Sequence, residues 1–144
     1  MKVSMKGDYG VRALVELAHH FGEGPVQSAM IAARQSIPEP YLDQLLTSLR
    51  RAGFIRSVRG PQGGHALIRE PADLKLSEAI AALEGSLAPI GCLDDPQGCP
   101  KTANCTLRPV WCEIEAATLR ILEGITIADL AERERATNVA RYAI

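Results

Sequence analysis

Aromatic side chains are scarce in this chain: one Trp, three Tyr and two Phe in 144 residues, or 4%. A core built on ring stacking is excluded, so the packing must be aliphatic, since apolar residues still make up 47%. No apolar run approaches the ~18 residues a membrane span needs. Met1–Ser4 lead straight into a patterned helix and not into the apolar stretch of a secretory signal. These absences predict a cytoplasmic protein with no membrane partner. Repeats and low-complexity tracts are missing, which excludes solenoids and disordered tails as the main architecture. No phosphate-binding glycine loop occurs and no His is placed beside a Cys, so no catalytic constellation is visible and an enzyme is not expected. Cysteine is absent before Cys92 and after Cys112.

What is present begins with a charge asymmetry hidden under a formal net charge of −1. Residues 1–70 carry nine Lys/Arg against six Asp/Glu, and residues 71–144 carry seven against eleven. The front part is modestly basic, which is compatible with a polyanion partner without establishing one.

From Met5 to about Phe21, Val11, Leu14, Val15, Ala18 and Phe21 recur with a helical period, and Asp8 falls in the first turn, where a carboxylate suits the helix dipole. His19 and His20 fall at the end of this helix. Val26–Arg34 predicts a short helix with Met30, Ile31 and Ala33 inward, and Gln35–Pro38 a tight turn. Pro38 and Pro40 suit the start of a longer helix, on which Tyr41, Leu42, Leu45, Leu46 and Leu49 form a broad apolar stripe ending at Gly53. Short helix, tight turn and longer helix make a helix-turn-helix, whose second helix enters the major groove. Its outward residues are Asp43, Gln44, Thr47, Ser48 and Arg51, types that read base edges or phosphates. An ordinary solvated face looks the same, so the face alone decides nothing.

The following stretch tips the balance. Phe54–Arg59 alternates apolar and polar, Gly60-Pro61-Gln62-Gly63-Gly64 is a turn signal, and His65–Arg69 returns as a second strand. A hairpin directly after a helix-turn-helix is a wing. Arg56, Arg59 and Arg69 place cations around it, and Arg59 at the tip suits a narrow minor groove. His65 on the wing is a candidate DNA-facing or packing residue. Residues 1–70 are therefore expected to form a winged helix-turn-helix DNA-binding domain.

Pro71–Leu74 predicts a linker, and Ser77–Leu83 a short helix with Ala79, Ile80 and Leu83 inward, ended by Gly85. Residues 71–104 are expected to hold this connecting helix and a cysteine-rich loop. From Leu107, apolar residues fall at Leu107, Trp111, Ile114, Thr118, Ile121 and Ile125, a heptad-like stripe. A second copy would bury it, giving a homodimer through residues 105–125; packing on its own domain is the alternative. A last short helix, Thr126–Ala136, is expected to pack back on the dimer, with a polar, disordered tail from Arg135. Residues 105–144 would thus be dimerisation helix and C-terminal helix. The fold class is mainly α with a small β-hairpin wing.

Cys92, Cys99, Cys105 and Cys112 are separated by six, five and six residues. Zinc and iron–sulfur clusters both take thiolate ligands. Structural zinc draws on tight C-x2-C pairs, which are missing here, and a Gly/Pro loop able to wrap a larger object suits a cluster better. The spacings match neither ferredoxin pattern. Free thiols, or a thiol sensor without metal, are the bland alternative.

With these residues in view, the chain resembles the winged-helix regulators of the IscR and NsrR kind, the Rrf family, over nearly its whole length. The carriers are Asp8-Tyr9 followed by V-R-A-L-V-E-L-A, the I-P-E-P-Y-L-D-Q-L-L-T-S-L-R-R-A-G-F-I helix, the V-R-G-P-Q-G-G wing, and three loop cysteines preceding R-P-V-W and T-I-A-D-L. The resemblance implies a homodimer with swapped long helices, a partly palindromic double-stranded operator, and a 2Fe-2S or 4Fe-4S cluster bound by three cysteines plus a variable fourth ligand. By position it places Tyr41, Asp43 and Gln44 at the major groove and Arg59 at the minor groove. It also makes Asp8 a candidate fourth ligand, because nitric-oxide-sensing members use such an Asp from the other subunit.

Two departures stand out. The first cysteine gap is six residues where members usually have five. Some members carry a ligating His three residues after the last loop cysteine; here that residue is Arg108, which cannot ligate iron. The fourth ligand is left between Asp8 and Cys112, the latter the better donor but about two helical turns beyond Cys105, ~10 Å if both are helical. The leading expectation is a redox-, iron- or nitric-oxide-sensing iron–sulfur regulator such as a repressor. Zinc or thiol-based control on the same DNA-binding frame is the alternative, and an iron–sulfur electron carrier is a third reading from a different class.

Overall fold

Ser4 starts the first helix, α1 (Met5–His19), its hydroxyl accepting from the Gly7 amide at 3.4 Å. This stands in a computed structural model that describes residues 2–142. One side of α1 supplies Leu14 and Leu17, both fully buried, to a core that is aliphatic as the composition requires. The short helix α2 (Ser28–Gln35) and the longer α3 (Glu39–Arg51) pack against it. Between them Ser36 takes the left-handed conformation (φ 55°), and the Ile37 amide returns to the Ala32 carbonyl at 3.0 Å, which makes the tight turn. Pro38 and Pro40 flank the α3 start, where a missing N–H does no harm.

Leu42, Leu45, Leu46 and Leu49 are buried, as their spacing predicts. In α2 the inward residues are Ile31 and Ala32; Met30 and Ala33 lie outside. The shift follows from the helix start. Val26 is not helical but pairs with His65 through two 2.8 Å backbone bonds, so α2 begins at Ser28 and its face is set by the turn that follows.

The wing is an antiparallel hairpin of β1 (Ile55–Val58) and β2 (Gly64–Leu67), in register Ile55 to Leu67 and Val58 to Gly64. Val26 extends it by one bridge. Gly64 has φ +149°, and a Cβ there would meet the Val26 carbonyl oxygen at 2.4 Å, so only glycine permits this approach. The result is a winged helix-turn-helix.

Pro71–Asp73 forms a turn of 3₁₀ helix that buries nothing, and Leu74 at the end of the expected linker is fully buried and anchors it in the core. Helix α4 (Leu76–Glu84) buries Ala79, Ile80 and Leu83. It lies close to α1 because Gly7 and Gly10 face it: a Cβ on Gly10 would sit 2.5 Å from Leu83 Cδ1. Glu84 accepts from both the amide and the hydroxyl of Ser4, each at 2.7 Å.

Helix α5 (Arg108–Glu123) buries no side chain, and Leu107, Val110, Ile114 and Ile121 are exposed. Of the expected stripe, Trp111, Thr118 and Ile125 are half-buried whereas Leu107, Ile114 and Ile121 stay exposed, α5 lying partly against α4. A two-bond bridge pins its far end to the head: Leu76 N–H donates to Ile125 O at 2.8 Å and Ile127 N–H to Leu74 O at 2.9 Å. Thr126 and Asp129 cap the next helix reciprocally, amide to side chain, at 2.9 and 3.1 Å. That helix, α6, runs Ile127–Tyr142, past the expected end at Ala136, so the segment from Arg135 is helical through Tyr142; residues 143–144 lie outside the described residues. It packs on α1 of its own chain, with Ile127 and Ala131 in the core.

Glu16 and Gln35 are buried polar residues in this otherwise apolar interior. The Gln35 amide donates to Glu16 Oε1 and to Glu134 Oε1, each at 3.1 Å, joining α1, α2 and α6. His20 and His19 complete the two carboxylates at 2.9 Å each. Replacing Gln35 by Ala removes both donors and leaves the buried Glu16 Oε1 short of its partner, which costs about 1–3 kcal/mol. Urea unfolding of Gln35→Ala should show that loss; an unchanged midpoint overturns the assignment.

Candidate nucleic-acid interface and cysteine loop

On the outer face of α3, Asp43, Gln44 and Arg51 are exposed, and Thr47 and Ser48 are half-buried. The two hydroxyls donate back to the carbonyls of Asp43 (3.0 Å) and Gln44 (3.2 Å), which parks them against the helix. Tyr41 is half-buried in the first turn, its ring edge-on to Tyr9 of α1 at 5.7 Å. Arg59 and Arg56 are exposed on the wing. The structure therefore brings Asp43, Gln44, Thr47, Ser48 and Arg51 to one face, with Tyr41 at its edge turned towards α1.

His65 is placed differently from the others. Its Nε2 lies 2.9 Å from Ser28 Oγ, its Nδ1 2.9 Å from Ser57 Oγ, and Arg50 donates to that same Ser57 oxygen at 3.2 Å. Both ring nitrogens are engaged within the protein. Burial lowers the His65 pKa from the ordinary imidazole value, the Arg50 guanidinium lowers it further, and Asp43 opposes them. Sequence reasoning had no signal for this arrangement, since Ser28 and His65 are 37 positions apart.

The cysteine loop joins α4 to α5 through turns of 3₁₀ helix at Gly91–Leu93, Pro96–Gly98 and Thr102–Asn104. Cys92, Cys99 and Cys105 are half-buried free thiols, and Cys112 is an exposed free thiol on α5. Two side chains tie the loop down. Thr102 Oγ donates to the carbonyls of Pro96 (2.8 Å) and Cys99 (3.0 Å), and Arg108 donates to the Cys92 carbonyl at 3.0 Å. Arg108 thus braces the loop's first cysteine against the start of α5. Among the described residues, no three Cys, His, Asp or Glu are gathered as a metal-binding group. Asp8 stands on α1 in a 2.9 Å ion pair with Arg12, which also donates to the Gln35 carbonyl (3.3 Å) and lies over the Tyr9 ring at 5.5 Å.

A winged head, a groove-facing helix and three loop thiols are the parts of a known design, and comparison with known proteins agrees. The family model for Rrf2, described as an iron-dependent transcriptional regulator, matches residues 3–133. The chain belongs to the Rrf2 family. It is 38% identical over 130 residues to Protein rrf2 of Nitratidesulfovibrio vulgaris, covering 90% of this chain and 87% of that one. Among solved structures it is similar to IscR of T. potens, with 43% identity, TM-score 0.75, and 93% and 88% of the two chains covered. It is equally similar in shape to CymR of B. subtilis, titled the global cysteine regulator, with 36% identity, TM-score 0.77, and coverage of 92% and 98%.

As an Rrf2 protein the chain is a DNA-binding transcriptional regulator, and no described helix is long and apolar enough to cross a membrane. The Rrf2 frame hosts proteins named for different inputs, so the loop's own residues must decide the chemistry. For the loop, Arg108→Ala should speed amide hydrogen exchange across residues 91–95 while leaving α1 and α3 protected. Equal exchange in both proteins would show that the Arg108 brace is not holding the loop.

Proposed function

We propose that this protein controls transcription by operator binding that depends on an iron–sulfur cluster held by Cys92, Cys99 and Cys105. The observation that carries the reading is the donor set: three free, half-buried thiols in one loop between α4 and α5. Short turns of 3₁₀ helix carry these thiols, and such a loop can rearrange around a group larger than a single ion once its two braces yield. When bound, the cluster supplies a redox- and nitric-oxide-sensitive cross-link of those thiolates. Arg108 supplies no ligand, so the fourth position falls to Cys112 or to Asp8. Cys112 is exposed on α5, and Asp8 would have to leave its pair with Arg12.

The chain's own residues offer a route from loop to operator. The loop leaves the end of α4, where Glu84 holds Ser4 and Leu83 fills the gap at Gly10. Helix α1 carries Tyr9 against Tyr41 in the first turn of α3. Ordering the loop therefore shifts α4 and α1 together, and with them the recognition helices. The exposed part of the α5 stripe, Leu107, Ile114 and Ile121, takes a second copy, which sets two heads side by side on a partly palindromic site. Asp43, Gln44, Thr47, Ser48 and Arg51 face the major groove with Tyr41 at their edge, and Arg59 reaches the minor groove. A ligand changes DNA affinity only by its differential affinity for the two states, so operator DNA must in turn change cluster retention.

Thiol-based control is the second reading, favoured by the exposed Cys112 and by the likeness to a regulator named for cysteine. Anaerobic reconstitution separates the two. The cluster reading expects iron and sulfide in the protein with visible charge-transfer absorption, lost in Cys105→Ala and altered in either Asp8→Ala or Cys112→Ala. Colourless protein with zinc, or with no metal and oxidant-dependent DNA binding, overturns it. For the wing, Arg59→Ala should weaken DNA binding and lower the salt slope by about one. An unchanged slope removes Arg59 from the interface.

A further inference from the structure

We infer that His65 is the positioning residue of the DNA-binding head: a single hydrogen-bond relay through it joins α2, the wing and α3. It thereby sets the distance between the major-groove face and Arg59. This rests on DNA binding alone and is independent of how the cysteine loop senses.

The relay's groups pair without conflict in the tautomer protonated at Nε2. A guanidinium only donates, so Ser57 Oγ accepts from Arg50 at 3.2 Å. The Ser57 proton is then free to donate to His65 Nδ1 at 2.9 Å. A ring accepting at Nδ1 carries its proton on Nε2 and donates it to Ser28 Oγ at 2.9 Å. One neutral tautomer thus ties together the last turn of α3, the first strand of the wing and the first residue of α2. The backbone of His65 doubles the connection through its two 2.8 Å bonds to Val26. The wing makes no other side-chain hydrogen bond to α3 among the described residues. The relay therefore adds to buried Phe54, Ile55 and Leu67 and the Phe54 N–H to Leu49 O bond in placing the outer part of the hairpin against the recognition helix.

The same geometry makes the brace sensitive to acid. A protonated ring donates from both nitrogens, and the Ser57 oxygen then faces two cations, His65 and Arg50. The charged and titratable groups around the ring are Arg50 and Asp43 from α3, with His20 at the end of α1 and Arg56 on β1 lining the cavity beside it. Since the folded ring holds its proton less readily than a free imidazole, its contribution is complete above the ordinary value of about 6.5 and is lost as the pH falls below it.

The test uses the full chain and DNA sites enriched by the wild-type protein from a random duplex library. His65→Ala and Ser57→Ala should each weaken binding about tenfold, the worth of one or two hydrogen bonds, with an unchanged salt slope. Minor-groove protection from hydroxyl radicals should weaken or shift while major-groove protection stays. His65→Asn, which keeps a group for Ser57, and His65→Gln, which keeps one for Ser28, should each recover part of the affinity. As the pH is lowered from neutral to well below the ordinary imidazole value of about 6.5, the wild type should drift towards the His65→Ala footprint while Ser57→Ala stays put. Should circular dichroism show His65→Ala unfolded, Ser57→Ala carries the same comparison. Unchanged footprints and affinity overturn the inference. So does a salt slope lower by about one, or binding that tightens in acid, since either marks a direct phosphate contact.

Discussion

The close approach of α1 and α4 is the constraint on which the rest of the molecule depends. Two glycines on α1 leave no Cβ between the helices, so Leu83 and Glu84 come up against the α1 backbone. Helix α1 in turn packs on α2, α3, α6 and the wing. A tightly packed interior transmits displacement instead of absorbing it. The helix that carries the cysteine loop and the helix that supports the reading head consequently behave as one body. A bulkier residue at Gly10 would press on Leu83 and force its side chain to move.

Much of the fold was legible because its signals are local. The leucine stripe of α3, the Gly/Pro wing turn and the heptad spacing of α5 each span few residues, and each appears as expected. Elsewhere the deciding partner was distant. Met30 looks inward by period alone, yet the bridge between Val26 and His65 moves the start of α2 and turns Ala32 in instead. Gln35 reads as a turn residue until Glu16 and Glu134, 19 and 99 positions away, are brought to it. The candidate site divides along the same line. The polar face of α3 follows from one helix, whereas the His65 relay assembles three segments and has no sequence signature. For the thiols, clustering was visible but their setting was not, because Arg108 braces Cys92 from 16 positions away and Asp8, on another helix, is held by Arg12.

Arg108 illustrates how one scaffold accommodates different inputs. At a position where a histidine could bind metal, a guanidinium can only donate, and here it donates to the loop backbone. The loop is shaped without a ligand being supplied. The loop occupies one segment apart from the winged head with its aliphatic core, and that frame is shared with solved structures bearing names as different as IscR and CymR.

The bridge between Leu74–Leu76 and Ile125–Ile127 ties the neck of a long excursion of the chain. The segment through α4, the cysteine loop and α5 leaves the head at Leu76 and rejoins it at Ile127, so its two ends are fixed on the same body. A change in the shape of the loop is thereby bounded at both ends, while α6 keeps its place on α1.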